Sequence, residues 1–274
     1  MKISKFYYQI FHNDNKRIVV LSDIHYYHKK NMKKLNRVLD DVKNCHPDYI
    51  CIPGDMIDER HIKDEQIFLD WLVELKNICP VIISLGNHEF IKSKKDYFCY
   101  DYDFFDKISK IDNIYFLDNK SQKIGGINFT GITLPGEYYY DEEENNKEYL
   151  INYINKKIKV KSNSFNVLLC HSPIELIKKD VFTSLNMANK IDLVICGHMH
   201  GGITPNILKK YLKGRGLISP HRDIFVKHSY GEYNINNTKF VISSGITKSS
   251  YRNKFSLLDF LFAPEITIID IIRK

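Results

Sequence analysis

A chain of 274 residues, 43% hydrophobic with 18 Tyr and 16 Phe, can bury a large core and excludes a disordered or fibrous protein. Lys and Arg number 40 against 33 Asp and Glu, and the resulting +7 favours an anionic partner without choosing among phosphate metabolites, an anionic membrane surface and nucleic acid. We expect one α/β domain over residues 1–274.

In chain order, Ile18, Val19, Val20 and Leu21 form a short apolar run that stops at Ser22, Asp23, Ile24 and His25, so the periodicity predicts a strand with polar cargo at its carboxyl end. Met32, Leu35, Val38, Leu39 and Val42 recur at helical spacing, and Pro47 closes that segment. Tyr49 to Ile52 is a second strand, ending in Pro53, Gly54 and Asp55 with Asp58 close behind. Ile67, Phe68, Trp71, Leu72, Leu75 and Ile78 mark another amphipathic helix. Val81 to Leu85 then runs into Gly86, Asn87, His88 and Glu89. Strand, helix, strand, helix, strand implies right-handed crossovers and parallel strands whose carboxyl ends share an edge, which is where open α/β sheets keep their sites.

From 92 to 112 no period holds, and we expect a cap-like helical excursion. Ile114 to Leu117 and Ile127 to Ile132, flanking Gly125 and Gly126, read as an antiparallel pair that begins a second sheet. Asp141 to Glu144 precede an apolar-periodic segment ending in Lys156, Lys157 and Lys159, the charge order of a solvated helix. Val167 to Cys170 ends in His171, and Leu193 to Cys196 ends in Gly197, His198, Met199 and His200. Residues 203–233 read as a basic loop holding Lys209, Lys210, Lys213, Arg215, His221, Arg222, Lys227 and His228. Phe240 to Ser243 and Ile266 to Ile272 are late strands. The six cysteines show no CxxC spacing, the first residues lack an apolar leader, and no run reaches membrane-spanning length; we expect a cytoplasmic protein without a transmembrane segment.

Five strand ends thus carry Asp23 with His25, Asp55, Asn87 with His88, His171, and His198 with His200. A single such histidine is usually a satisfied core residue; the set, gathered on one edge, predicts a metal centre. Carboxylate and imidazole suit Mn, Fe or Zn, whereas the shortage of carboxylates disfavours Ca and the missing cysteine ligands disfavour a structural Zn.

The pattern DxH at Asp23 and His25, GDxxD at Gly54, Asp55 and Asp58, GNHE at Gly86 to Glu89, His171, and GHxH at Gly197, His198 and His200 resembles the calcineurin-like metallophosphoesterase superfamily, with its motifs in order over residues 23–200. The resemblance implies a four-layer αββα sandwich of two mixed β-sheets flanked by helices, and two divalent metal ions, with Mn favoured. It also implies the ligands: Asp55 bridges, Asp23, His25 and His200 complete one metal site, and Asn87, His171 and His198 complete the other. Gly197 to Gly202 with the long loop after it looks like a bacterial branch of phosphodiesterases and lipid-precursor pyrophosphatases. The implied reaction is in-line attack of a metal-bridging hydroxide on a phosphomonoester, phosphodiester or nucleotide-like pyrophosphate.

Within that frame His88 is expected to protonate or hydrogen-bond the leaving oxygen, with Asp58 orienting it, while Glu89 fixes the loop. Arg222, beside His221, is the expected phosphate clamp, because a guanidinium grips phosphate through two N–H groups. A small phosphorylated substrate is the favoured partner; a nuclease of the same chemistry is the alternative, followed by a scaffold without catalysis, and membrane-surface contact is open.

Overall fold

The computed structural model describes residues 3–58, 62–89, 102–140, 146–161, 163–178, 180–218, 224–247 and 263–273. Its elements run β1 (Ser4–His12), β2 (Lys16–Val20), α1 (Met32–Lys43), β3 (Tyr49–Pro53), α2 (Glu65–Lys76), β4 (Val81–Ser84), α3 (Tyr102–Ser109), β5 (Ile114–Phe116), β6 (Lys120–Ile124), β7 (Ile127–Ile132), α4 (Glu137–Tyr140), α5 (Lys147–Lys157), β8 (Asn166–Cys170), β9 (Leu193–Cys196), α6 (Asn206–Leu212), β10 (Gly231–Ile235), β11 (Thr238–Ile242) and β12 (Glu265–Arg273).

The strands form two six-stranded mixed sheets, β1-β12-β2-β3-β4-β5 and β10-β11-β9-β8-β7-β6. Within the first, β2, β3, β4 and β5 are parallel, and β12 runs antiparallel to β2. Within the second, β7, β8, β9 and β11 are parallel. The central strands read as unbroken apolar runs because both of their faces are covered.

Alternation along each strand assigns the layers. Ile18, Val20, Cys51 and Ile82 meet Phe129, Val167, Leu169 and Ile195 between the sheets. Their neighbours Val19, Ile50, Ile52 and Ile83 face outward onto Leu35, Val38 and Val42 of α1 and Phe68, Trp71 and Leu72 of α2. Leu168, Cys170, Val194 and Cys196 do the same against Leu150 and Ile154 of α5. This is the helix–sheet–sheet–helix sandwich that the motif pattern implies. Trp71 Nε1 donates to Leu35 O at 3.1 Å and ties α1 to α2.

Four assignments differ from the sequence reading. Ile114–Phe116 is an edge strand of the first sheet, and the hairpin around Gly125 and Gly126 pairs β7 with β6 instead. β6 has the sequence KSQKI and an exposed edge, so no apolar run announces it. β1 is likewise unforeseen; it pairs in parallel with β12, the last strand of the chain. Part of the predicted excursion, Phe104, Phe105 and Ile108 of α3, is buried in the core beside α2, while residues 90–101 lie outside the described residues. The basic loop contains α6, and its Lys209 is only 3% exposed. Lys209 Nζ donates to Ser244 Oγ and, at 2.5 Å, to Glu265 Oε2, which is why a lysine is tolerated there. Among the described residues no helix is long and apolar enough to cross a membrane.

Candidate metal centre

The parallel strands β2, β3 and β4 of one sheet and β8 and β9 of the other deliver their carboxyl-terminal loops to one rim. There the chain leaves extended geometry: Asp23 (φ 51°), His25 (φ 48°), Asp55 (φ 51°), His198 (φ 70°) and His200 (φ 46°) are all left-handed. Such a conformation costs a non-glycine residue about 1–3 kcal/mol and persists only where surrounding contacts enforce it. Those contacts run between the loops. His25 N donates to Asp55 O at 3.0 Å and Tyr26 N to Met56 O at 3.0 Å, zipping the β2 loop to the β3 loop. His198 N donates to Asp23 Oδ1 at 3.0 Å, and His88 N to Asp55 Oδ1 at 2.9 Å. Gly54 (φ 103°) is obligatory on two counts, since a Cβ there would lie 2.6 Å from Gly86 N and 2.7 Å from His171 Nδ1.

Three groups of potential ligand atoms result: Asp23 with His25 and His200; His25 with Asp55 and His88; and Asp55 with His171 and His198. Asp55 belongs to two of them. Its Oδ2 lies 3.0 Å from His171 Nε2, 3.6 Å from His25 Nε2 and 4.0 Å from His88 Nε2. Asp23 Oδ1 is 3.8 Å from His200 Nε2 and 4.0 Å from His171 Nε2. Asn87 Oδ1 sits 2.9 Å from His198 Nδ1, so Asn87 joins the third group as a neutral oxygen.

Two histidines are oriented by carbonyl groups, which can only accept. His171 Nδ1 donates to Pro53 O at 2.9 Å and His200 Nδ1 to Thr247 O at 2.8 Å, turning each Nε2 toward the centre, where the neutral ring offers its lone pair. Asp55 Oδ2, His171 Nε2 and both ring nitrogens of His25 are buried and make no hydrogen bond. Orphaned buried polar atoms converging from three loops fit divalent cations between them.

Electrostatics agree with that reading. Burial opposes ionisation of Asp55, yet the imidazoles beside it, His171 foremost and then His88, hold its carboxyl well below the usual carboxylate range. Burial would lower His171, but the Asp55 charge, with Asp23 and Glu89 beyond it, pushes the imidazole up to about 9. For His25 burial wins and keeps the ring neutral. The cluster gathers cations around Asp55, a role that bound metal ions would take over from protons.

Glu89, 1% exposed, holds the loops from below. Its two oxygens accept from Asp55 N at 3.0 Å, Met56 N at 2.6 Å, Ile57 N at 3.1 Å and Gly86 N at 2.5 Å. Burial and the nearby Asp55 push its carboxyl up to about 7 despite these donors. Glu89→Ala would strand these buried N–H groups at about 1–3 kcal/mol each. A drop of well over 5 °C in the melting temperature of the metal-free protein is therefore expected, and an unchanged melt would refute the role.

Asp58 is 6% exposed and its N–H donates to Tyr26 O at 3.0 Å, which places it at the floor of the same loop. His221 and Arg222, the expected phosphate clamp, lie outside the described residues. Two contributors had no sequence signal. The segment Ser243–Thr247 after β11 braces the centre: Ile246 N donates to Ser22 O and Thr247 N to Asp23 O, both at 2.9 Å, and Thr247 Oγ1 to Ile24 O at 2.8 Å. Tyr139, 8% exposed, packs its ring 5.6 Å from that of His198.

Comparison with known proteins places this geometry in context. The profile of the calcineurin-like phosphoesterases matches residues 16–202. An uncharacterized metallophosphoesterase of Helicobacter pylori (strain 26695) is 26% identical over 226 residues, covering 80% of this chain and 55% of that protein. One from Campylobacter jejuni is 26% identical over 187 residues, covering 68% of this chain and 44% of that protein. The chain thus spans about half the length of the curated relatives it matches. Among solved structures, the protein TT1561 of Thermus thermophilus superposes with a TM-score of 0.50 at 9% identity, covering 85% of this chain and 90% of that one, a likeness of fold. A dimetal phosphatase from Danio rerio reaches a TM-score of 0.48 at 10% identity, covering 86% of this chain and 90% of that one.

Proposed function

Because the chain belongs to the calcineurin-like phosphoesterase family, we propose that it is a dinuclear metal-dependent phosphoesterase, acting on a phosphomonoester, phosphodiester or nucleotide-like pyrophosphate. The observation that carries this reading is the buried Asp55 Oδ2, 3.0 Å from His171 Nε2 and 3.6 Å from His25 Nε2, which lies between the His171–His198 group and the His25 that also faces Asp23 and His200. Asp23, His25, Asp55 and His200 would hold one ion, and Asp55, Asn87, His171 and His198 the other. Two divalent ions, with Mn favoured, would supply an activated water and neutralise phosphoryl charge during in-line displacement.

The chain's own groups supply the rest. Asp55 offers a bridging carboxylate whose Oδ1 is fixed by the His88 N–H, so its Oδ2 points inward without rotational freedom. Asn87 contributes an oxygen without adding negative charge to a site that must receive phosphate. His88 has a side chain 18% exposed where that of Asp55 is 1%, so it alone of this pair reaches the open side where a leaving oxygen would sit. A donor at that oxygen is worth on the order of 10² to 10⁴ in rate. Asp58 is proposed to orient His88, and Arg222 with His221 to hold the distal phosphate. A reducing, cytoplasmic setting fits the buried free thiols of Cys45, Cys51, Cys79, Cys170 and Cys196.

Protein loaded with Mn, assayed by metal analysis and by turnover of p-nitrophenyl and bis-p-nitrophenyl phosphate, tests the proposal. The expected result is two ions per chain and hydrolysis of at least one ester. Full loading with no turnover of these or of any nucleotide pyrophosphate would overturn it.

A further inference from the structure

The exposed apolar residues are unevenly placed. Of the ten large hydrophobic side chains exposed among the described residues, six lie between positions 207 and 225: Ile207 (68%), Leu208 (39%), Tyr211 (67%), Ile218 (43%), Ile224 (71%) and Phe225 (61%). Scattered singly such residues need no explanation, but a concentration of this kind marks an interaction surface. The same segment exposes Lys210, Lys213, Arg215 and Lys227, and Asp223 is the single acidic residue of the sequence from 203 to 230. Lys210 Nζ lies 4.7 Å from the Tyr211 ring, so cation and aromatic are presented together.

This surface is firmly anchored. Lys209, on the opposite side of α6, is tied inward to Glu265 and Ser244, and Tyr230 OH donates to its carbonyl at 2.9 Å. Ile218 and Ile224 pair across an antiparallel bridge, and Phe225 N donates to Leu217 O at 3.1 Å. Leu217 N and Ile218 N both donate to Gly202 O, at 2.8 and 3.0 Å, two residues beyond His200. The apolar and basic groups therefore stand on a brace continuous with the loop that carries a candidate metal ligand.

We propose that α6 and the bridged pair Ile218 and Ile224, with Phe225 beside it, form a surface that docks on an anionic phospholipid bilayer, inserting Ile207, Tyr211, Ile224 and Phe225 while Lys210, Lys213, Arg215 and Lys227 meet lipid phosphates. Apolar side chains interleaved with a strong excess of basic ones are the composition an anionic bilayer interface selects. A second copy of the chain is a poor fit, because a self-complementary contact would bring the same cations against each other. Nucleic acid would engage the cations and leave the isoleucines in water. The proposal concerns where the protein sits and is independent of the reaction it performs.

Co-sedimentation of the full chain with vesicles of phosphatidylcholine plus phosphatidylglycerol, against phosphatidylcholine alone, tests it. Binding to the anionic vesicles is expected, weakening with salt. Lys210→Gln with Lys213→Gln, at exposed positions, should cut the partition coefficient about fivefold per lysine. Ile224→Asp with Phe225→Asp should reduce it further, with metal content and basal ester turnover retained in both variants. Equal binding to the two vesicle types, no binding, or variants that bind like the parent would overturn the proposal. So would a concentration-dependent dimer, or an oligonucleotide complex, that these substitutions dissolve in the absence of vesicle binding.

Discussion

Replacing Asp55 by Asn is expected to abolish turnover and to lower metal content below two ions per chain while leaving the fold intact. The substitution is isosteric, and an amide oxygen can still accept the His88 N–H that now reaches Asp55 Oδ1 at 2.9 Å. What disappears is the charge, and with it the oxygen that lies within 3.0 to 4.0 Å of His171, His25 and His88 Nε2. An amide has one oxygen and cannot join two groups of ligands. Two ions contribute several kcal/mol of transition-state charge stabilisation, and each 1.36 kcal/mol is tenfold, so a fall of roughly 10³ or more in kcat is expected. The His171 imidazole, held up at about 9 chiefly by the Asp55 charge against burial, should fall back toward or below its ordinary range in the metal-free variant. Metal analysis, turnover and a thermal melt read the outcome together. Loss of the ions with a near-parental melt supports the bridging role; retained ions and retained turnover would refute it.

The candidate ligands are legible in the sequence because each follows an apolar run too short for anything but a buried strand. Ile18 to Val20, Tyr49 to Pro53, Val81 to Ser84, Asn166 to Cys170 and Leu193 to Cys196 are all strands, and each run stops within a few residues of a candidate ligand. The sandwich itself is less a matter of periodicity than of the motif pattern, since alternation within a doubly buried strand leaves no polar face to read. Where the chain's own polarity is the only signal, as in β6 with its exposed KSQKI, the strand is invisible. Lys209 is misread for a related reason. Its partners Ser244 and Glu265 are 35 and 56 residues away, and nothing local distinguishes a buried lysine from a solvated one. The left-handed backbone at Asp23, His25, Asp55, His198 and His200 is equally hidden, because it is imposed by hydrogen bonds between loops rather than by neighbours in sequence. Thr247, whose carbonyl turns His200 toward the centre from 47 residues away, belongs to the same class. Local patterns identify which side chains are available; the loops' mutual bonding decides which atoms they present.

Within the Gly86 to Glu89 turn that distinction becomes a measurable division of labour. Asn87 faces His198, Glu89 fastens four N–H groups beneath the loops, and His88 stands between ligand and reagent. Geometry alone offers His88 both roles. Its Nε2 falls in a group with His25 and Asp55, yet at 4.0 Å it is the most distant of the three imidazoles around Asp55 Oδ2, and its side chain is 18% exposed where those of His25 and His171 are 2% and 0%. A ligand is served by burial, whereas a proton donor must meet the substrate. His88→Asn preserves the backbone N–H that anchors Asp55, so it removes the ring without loosening the bridge. The expected result is two ions per chain, a near-parental melt and a fall in kcat on the order of 10² to 10⁴. The fall should shrink for esters whose leaving group needs no proton, such as p-nitrophenol, and persist for alkyl esters. His171→Asn is the contrasting variant, expected to lose metal because its Nε2 is buried against Asp55. If His88→Asn loses an ion as His171→Asn does, the exposed imidazole is a ligand after all, and the leaving oxygen must be served by another group at the open side.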